Sequence, residues 1–244
     1  MTRLPACVLV ALVVPGLAAC ESTADKSARI AKEGRQAVQA SGRLDVSRPN
    51  ADVRVGQAVV VRGAGGAVAA AVQLRNTGSR TEADVPLLID VRDAAGKSVY
   101  RNDTLGLQAA LQRVGSLPAG RTTWWVNDQV LATGTPRSVN ARAGAARTVD
   151  KPPPVTLAGV HLESDDTGRS LSGTVVNGSP APQVNVPVYA VALRGKRVVA
   201  AGRAIVAKLP AAGAPKPTIF RLFFVGDPRG ARVVVSAAPS VPAS

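Results

Sequence analysis

The chain alternates between short apolar runs rich in valine and clusters of glycine, proline, asparagine and aspartate. Short β-branched runs that end at turn-forming residues are typical of β-strands. We predict strands at 53–61, 67–75, 85–92, 97–101, 108–115, 121–127 and 137–142, and again at 155–162, 170–176, 184–193, 197–207, 217–225 and 230–236. Many short strands with regularly spaced turns indicate an all-β protein built of β-sandwiches.

Both halves of the chain carry the same landmarks in the same order, which predicts an internal duplication. An apolar strand ends in a turn at Asn76 and again at Asn177. The landmarks that follow pair Val85-Pro86 with Val186-Pro187, Gly96-Lys97 with Gly195-Lys196, Leu117-Pro118 with Leu209-Pro210, and Trp124-Trp125 with Phe223-Phe224. We therefore predict two tandem β-sandwich domains, at 50–148 and 155–240, joined by a stiff proline-rich linker at 149–154.

The first twenty residues have the features of an export signal. Arg3 precedes an apolar run over 4–17, and the run ends in small residues. About 20 apolar residues are needed to span a bilayer, and this run is shorter and contains proline. The pattern predicts a signal peptide at 1–19, with a cleavage point after its small residues. Residues 20–49 follow as a tether, for which a short surface helix and a solvated spacer are the two alternatives.

The Leu17-Ala18-Ala19-Cys20 ending resembles the lipobox of bacterial lipoproteins. In that family the cysteine thiol receives a diacylglyceryl group, and cleavage leaves the acylated cysteine as the first residue. The resemblance implies cleavage between Ala19 and Cys20, and it implies that Cys20 is the lipid-attachment site. It also implies that the protein is lipid-anchored to the cell membrane on its extracytoplasmic face. An ordinary secretory signal is the alternative.

The order of strands and turns also resembles the FxLYD-type, immunoglobulin-like repeats of bacterial envelope lipoproteins. In the first copy Ile89, Val91 and Arg92 stand where that family has Phe, Leu and Tyr, whereas Asp93 fits the pattern. The resemblance implies two immunoglobulin-like β-sandwiches. It implies no activity, because the family has no common chemistry and a fold alone does not define a function.

The formal net charge of +14 is spread along the chain. Nucleic-acid binding usually needs a dense basic patch with stacking aromatic residues. Neither is visible, so we expect no nucleic-acid partner. A basic protein held at a membrane would instead lie favourably near anionic headgroups or anionic wall polymers. The alternative is that the arginine content reflects only the base composition of the genome.

The sequence contains no recognisable catalytic motif. His161 is the single histidine, which excludes any site that needs two. Gly96-Lys97-Ser98 lacks the earlier glycine of a phosphate-binding loop. Asp165-Asp166-Thr167-Gly168 offers too few oxygens for calcium and is more typical of a turn. We expect a non-enzyme with no catalytic residue, no metal site and no cofactor.

Trp124 and Trp125 are the candidate contact with a partner. Alternation along a strand directs one ring inward and the other outward, and an exposed tryptophan is a frequent binding anchor. The alternative is that both rings are covered within the domain. The sequence thus predicts a membrane-anchored module that binds or scaffolds an envelope protein. One alternative is a binder of anionic lipid or wall polymer through the basic surface; another is a hydrolase with an unrecognised site.

Overall fold

The computed structural model describes residues 44–152, 154–165, 168–214 and 216–241. These residues form β-strands and two single-turn 3-10 helices, at Ala64–Gly66 and Ala109–Leu111, with no α-helix among them. This part of the chain contains no helix long and apolar enough to cross a membrane. The predicted all-β class is confirmed. The predicted signal peptide and the tether up to residue 43 lie outside the described residues.

The first half forms two antiparallel sheets. Its strands are β1 (Val53–Arg62), β2 (Val68–Asn76), β3 (Thr81–Arg92), β4 (Ser98–Arg101), β5 (Arg113–Leu117), β6 (Thr122–Asn127), β7 (Ser138–Ala143) and β8 (Arg147–Val149). One sheet has the order β1-β2-β6. In the other, β3 pairs with β4 and β5 on one side and with β7 and β8 on the other.

The second half repeats this pairing. Its strands are β9 (Val155–Asp165), β10 (Gly168–Asn177), β11 (Gln183–Arg194), β12 (Arg197–Leu209), β13 (Thr218–Phe223), β14 (Val225–Gly226) and β15 (Arg232–Ala237). One sheet has the order β9-β10-β13 and the other β14-β12-β11-β15. The central strand β10 corresponds to β2, and β11 corresponds to β3. Each half is therefore a sandwich with the same arrangement of strands.

The predicted strand at 108–115 is wrong at its start. The amide N–H groups of Leu111 and Gln112 donate to the carbonyl oxygens of Gln108 and Ala109, which closes a 3-10 turn there. Strand β5 begins only at Arg113. The two buried bonds that the Asn102 side-chain amide donates to Leu87 and Leu111 hold this turn against β3. A tertiary contact has thus overridden the local pattern.

Asn76 and Asn177 have the same role in the two halves. Each side-chain amide donates to the carbonyl oxygen four residues later, and each side-chain oxygen accepts the amide N–H two residues later. Each amide also donates across the sandwich, to Leu117 in the first half and to Pro210 in the second, at 2.9 and 3.0 Å. Both side chains are buried. Matching hydrogen bonds at matching positions support the internal duplication.

A second pair of equivalent residues has left-handed backbone. Asp84 has a φ of 54° and Asn185 a φ of 52°, and both precede a Val-Pro pair. Asn185 follows Asp84 by the same 101 residues that separate the two turn asparagines. Aspartate and asparagine tolerate this conformation better than other side chains with a Cβ. The duplication therefore extends to an unusual backbone geometry.

The aromatic landmarks align differently from the sequence prediction. Trp125 pairs with Val72 across the β2–β6 ladder. The residue equivalent to Val72 is Gly173, which pairs with Phe220 rather than with Phe224. Trp125 therefore corresponds to Phe220, four residues earlier than predicted. Gly173 leaves the space for this ring, because a Cβ there would lie 2.8 Å from Phe220.

The two sandwiches meet through their sheets, and we call this contact the seam. The outer face of β1-β2-β6 contacts strands β11, β12 and β15. One hydrophobic core accordingly contains Trp124 and Val126 together with Tyr189, Val191 and Ala201. A separate core fills the second sandwich, and its buried members are Leu171, Val175, Val186, Val188, Ala190, Val206, Leu209, Phe220 and Leu222. The four sheets form successive layers. The predicted domain bounds, 50–148 and 155–240, and the linker at 149–154 stay predictions.

Candidate anion-binding cleft

Trp124 and Trp125 are both buried, with 5% and 0% of their surface exposed. Both rings are buried because the β1-β2-β6 sheet lies between two other sheets, which cover its two faces. Trp124 lies on the face that also carries Val61, and Val61 approaches Gly226 of the second half. Trp125 lies on the opposite face, within its own sandwich, and its indole N–H donates to the Ala110 carbonyl oxygen at 2.8 Å. Neither ring is available at the surface, so the expected exposed tryptophan is not found.

The predicted cleavage and lipid-attachment residues, Ala19 and Cys20, lie outside the described residues. Their roles stay predictions that depend on the sequence alone.

His161 belongs to a polar cluster on the β9-β10-β13 sheet. Its Nδ1 contacts the Gly159 carbonyl oxygen at 2.7 Å, and its Nε2 contacts Glu163 at 3.1 Å. The Ser170 hydroxyl donates to Glu163, and Arg221 donates to Ser170. The serine therefore contacts the carboxylate and not the imidazole. A serine activated by a neighbouring histidine is not assembled here.

Asp90 and Asp165 lie on different strands, Asp90 on β3 and Asp165 at the end of β9. Asp90 forms an ion pair with Arg92 at 2.6 Å. Burial opposes the ionisation of Asp90, but hydrogen bonds from Ser98 and Arg92 outweigh it, so its pKa is lowered. Asp165 pairs with Gly168 at the end of the β9–β10 hairpin, and residues 166 and 167 are outside the described part. Among the described residues, no group of three or more metal-ligating side chains could hold an ion.

A cleft lined by four arginines opens at one end of the seam, and we call it the arginine cleft. Its volume is about 500 Å³. The arginines are Arg62 at the end of β1, Arg137 just before β7, and Arg194 and Arg197 in the β11–β12 hairpin. Both halves of the chain therefore supply side chains to it.

The four arginines of the cleft keep their positive charge within the part of the chain that the structure describes. None of the four forms an ion pair with an acidic residue in the described part of the chain. Two of them are held by carbonyl oxygens: Arg62 donates to Pro136, and Arg194 donates to Arg229 at 2.9 Å. These carbonyl oxygens fix the positions of the two guanidinium groups without neutralising their positive charge.

Among the described residues, Asp227 is the one acidic residue that lines the arginine cleft. It forms an ion pair with Arg229 at 2.6 Å and lies 3.8 Å from Arg169. Hydrogen bonds from Arg229 lower the pKa of Asp227 to about 2, so its carboxylate stays ionised and bound to its own partner. The four cleft arginines are left for an external anion.

The hairpin at the cleft places two like charges directly opposite each other. Arg194 pairs with Arg197 across a two-residue turn, in which Gly195 has a φ of 60°. Like charges at opposed positions of antiparallel strands are destabilising. An anion that binds between them would remove this repulsion.

Only part of this site can be located from the sequence. The basic run 194–197 is visible in the sequence, and its hairpin geometry is what the Gly-Lys turn indicates. Arg62 and Arg137 are isolated along the chain, and no sequence signal brings them to the hairpin. They meet it only because the two sandwiches share a seam.

No family model matches the chain, and no curated protein matches it. Among solved structures, the chain is similar to the transglutaminase of red sea bream, with 14% identity and a TM-score of 0.21. The likeness covers 90% of this chain and 32% of that one, so this chain spans about a third of the transglutaminase. A TM-score this low supports no conclusion about activity.

Proposed function

We propose that this protein is a non-enzymatic, lipid-anchored binding module on the extracytoplasmic face of the cell membrane, and that it binds a phosphate-bearing anionic component of the envelope. The observation that carries the proposal is the arginine cleft, in which four uncompensated arginines converge. The lipobox-like sequence that ends at Cys20 supports the anchored location.

The chemistry of the cleft favours phosphate. The guanidinium group of arginine donates two parallel hydrogen bonds to phosphate oxygens, and it keeps its charge at any physiological pH. Every basic residue that lines the cleft is an arginine. No aromatic side chain of the described residues lines it, so these residues offer no stacking platform for a sugar or a base. Recognition would depend on charge and on bidentate hydrogen bonding.

The ligand could be an anionic lipid headgroup or a soluble polymer that carries phosphate. We would measure binding of the Cys20→Ala chain to phosphatidylglycerol vesicles and, separately, to polyphosphate in solution. Vesicle binding alone would identify a headgroup, and binding to both probes would identify a phosphate polymer. Both should weaken with added salt, because a Debye length of about 10 Å at 0.1 M screens exposed charges.

Substitution of the four cleft arginines by glutamine tests the site itself. A basic residue near an anionic surface contributes about 1 kcal/mol, so the fourfold variant should bind at least tenfold more weakly. The matched control replaces four exposed basic residues elsewhere: Arg54, Arg75, Arg121 and Lys208. An equal loss in the control would show a non-specific effect of net charge. No binding of the parent chain to either probe would refute the proposal.

A further inference from the structure

We propose that a cavity at the seam, separate from the arginine cleft, binds a small amphipathic anion. This seam cavity has a volume of about 390 Å³. It lies where the first half, through β3, β5 and the 3-10 turn Ala109–Leu111, meets β11 and β12 of the second half. It shares no lining residue with the arginine cleft.

The walls of the seam cavity are largely apolar. They are formed by Ala109, Ala110, Val184, Pro187 and Ile205. Val184 is 63% exposed, so water lies against apolar surface here. Ligand sites are typically clefts of about 300–1,000 Å³ at domain interfaces, with apolar walls and a few polar groups. The seam cavity meets each of these conditions, and an apolar ligand body would displace the water from its walls.

Arg113 gives the seam cavity a positive charge. Its guanidinium group reaches only the Asp84 carbonyl oxygen, at 3.5 Å, and forms no ion pair within the described part of the chain. The nearby Asp84 carboxylate does not compensate it, because Arg147 binds Asp84 Oδ2 through two nitrogens at 2.8 and 3.1 Å. The charge that remains for a ligand is therefore positive, and the head of the ligand must be negative.

The cavity is held in shape by unusual backbone on both sides. Asp84 and Asn185, the two left-handed residues of the duplication, both line it. Backbone in sparsely populated conformations persists only where the surrounding structure fixes it, and it is found often at ligand sites. Gly115 lines the same cavity, and a Cβ there would lie 2.5 Å from the Ala238 carbonyl oxygen. A preformed cavity binds at a lower entropic cost.

The ligand class follows from these observations. It has one anionic head for Arg113 and a compact apolar body for the walls. A carboxylate and a phosphate head are both compatible with a guanidinium partner. The proposal does not depend on the function proposed for the arginine cleft.

Trp125 provides an internal reporter, because its indole N–H donates to Ala110, which lines the cavity. In a Trp124→Phe chain, Trp125 is the single tryptophan. We would titrate this chain with dansylglycine, which has a carboxylate head and a compact aromatic body, and measure energy transfer from Trp125. Saturable transfer at one ligand per chain is the expected result. The uncharged amide of the same probe should bind at least tenfold more weakly. A probe with a phosphate head would show whether the site prefers a carboxylate or a phosphate.

Two substitutions locate the site. Arg113→Gln should weaken binding of the acid about tenfold but leave binding of the amide unchanged, whereas Ala109→Phe should fill the cavity and abolish both. Val184→Phe, at the exposed rim, is the second filling variant if Ala109→Phe does not fold. Arg75→Gln, at an exposed position of β2, is the charge-matched control.

The fourfold arginine-cleft variant should bind the acid normally, which separates this site from the proposed function. Absence of saturable transfer, an equal loss in Arg75→Gln, or full binding by both filling variants would overturn the proposal.

Discussion

Arg203 on β12 donates to Asp128, which follows β6, at a distance of 3.1 Å, and this ion pair crosses the seam. The Arg203 side chain is only 3% exposed, and it also donates to Gln108 of the first half at 3.2 Å. Arg203→Ala should lower the free energy of unfolding by about 3 kcal/mol, because it leaves the largely buried Asp128 without a partner. Urea denaturation would measure the loss. Arg229→Ala, which removes an exposed pair, is the control and should change little.

The two turn asparagines should be equally important for stability. Asn76→Ala and Asn177→Ala each remove a buried amide and leave two carbonyl oxygens without their donor. We expect each to lower the free energy of unfolding by about 2 kcal/mol. Asn140→Ala, at an exposed position of β7, should have almost no effect. Unequal losses from the two turns would show that the two copies no longer use the same interaction.

The shared core predicts one cooperative unfolding transition for the two sandwiches. Tyr189 and Trp124 are buried in the same cluster although they come from different halves. Tyr189→Ala should therefore cost about 4 kcal/mol and lower the midpoint of a single calorimetric transition. Two resolved transitions, of which only the second moves, would contradict a shared core. Phe220→Ala, in the core of the second sandwich alone, is the comparison.

His161 should titrate above the ordinary range of histidine. The hydrogen bond to the Gly159 carbonyl oxygen and the contact with Glu163 raise the pKa of His161. A hydrogen bond with Ser172, the nearby charge of Arg221 and the contact with His161 lower the pKa of Glu163. The contact therefore stabilises the fold below the ordinary pKa of histidine, and this contribution is lost as the pH rises through the raised value.

Proton NMR can follow His161 without ambiguity, because the sequence has one histidine. Glu163→Gln should bring its pKa down towards the ordinary value. A titration midpoint below 6.5 in the parent chain would contradict the geometry.

The lipid anchor is a prediction from the sequence, and it has a direct test. Cys20→Ser should release the protein from the membrane fraction into the medium and abolish labelling with a fatty-acid analogue. Substitution of Cys7, which lies in the predicted leader, should leave both unchanged. Unaltered membrane retention of Cys20→Ser would show that another part of the chain holds the protein there.

Most of the strands could be predicted because each has a period-2 or continuous apolar pattern that ends at turn residues. Strand β1 was predicted at 53–61 and observed at Val53–Arg62. The turns at Asn76 and Asn177 could also be predicted, because asparagine is a turn-forming residue and its side chain makes the hydrogen bonds that close each turn. The alignment of Trp124-Trp125 with Phe223-Phe224 failed because the connection before the aromatic strand differs in length between the copies, and only the ladder register reveals this.

The seam and the arginine cleft could not be predicted in the same way. Strand β11 is apolar at successive positions from Val186 to Leu193, which is typical of a strand covered on both faces. That pattern indicates that both faces of β11 are covered, but it does not identify the sheet that covers the second face. The burial of Trp124 depends on which sheet covers that face. The position of Arg62 and Arg197 in one cleft depends on it too. Both are consequences of tertiary packing, and the sequence contains no local signal for either.

The outer face of the β9-β10-β13 sheet differs in polarity from the outer face of β1-β2-β6. It occupies the place in the second copy that β1-β2-β6 occupies in the first. The residues that contact the neighbour in the first copy have polar or exposed counterparts in the second: Ser170 for Ala69, Ser172 for Ala71, Arg221 for Val126, and Ile219, 74% exposed, for Trp124. A third sandwich would have to dehydrate the Arg221–Glu163 ion pair. The outer face of the second copy therefore lacks the apolar side chains that form the seam, and in this it resembles the polar outer faces of end repeats in longer arrays.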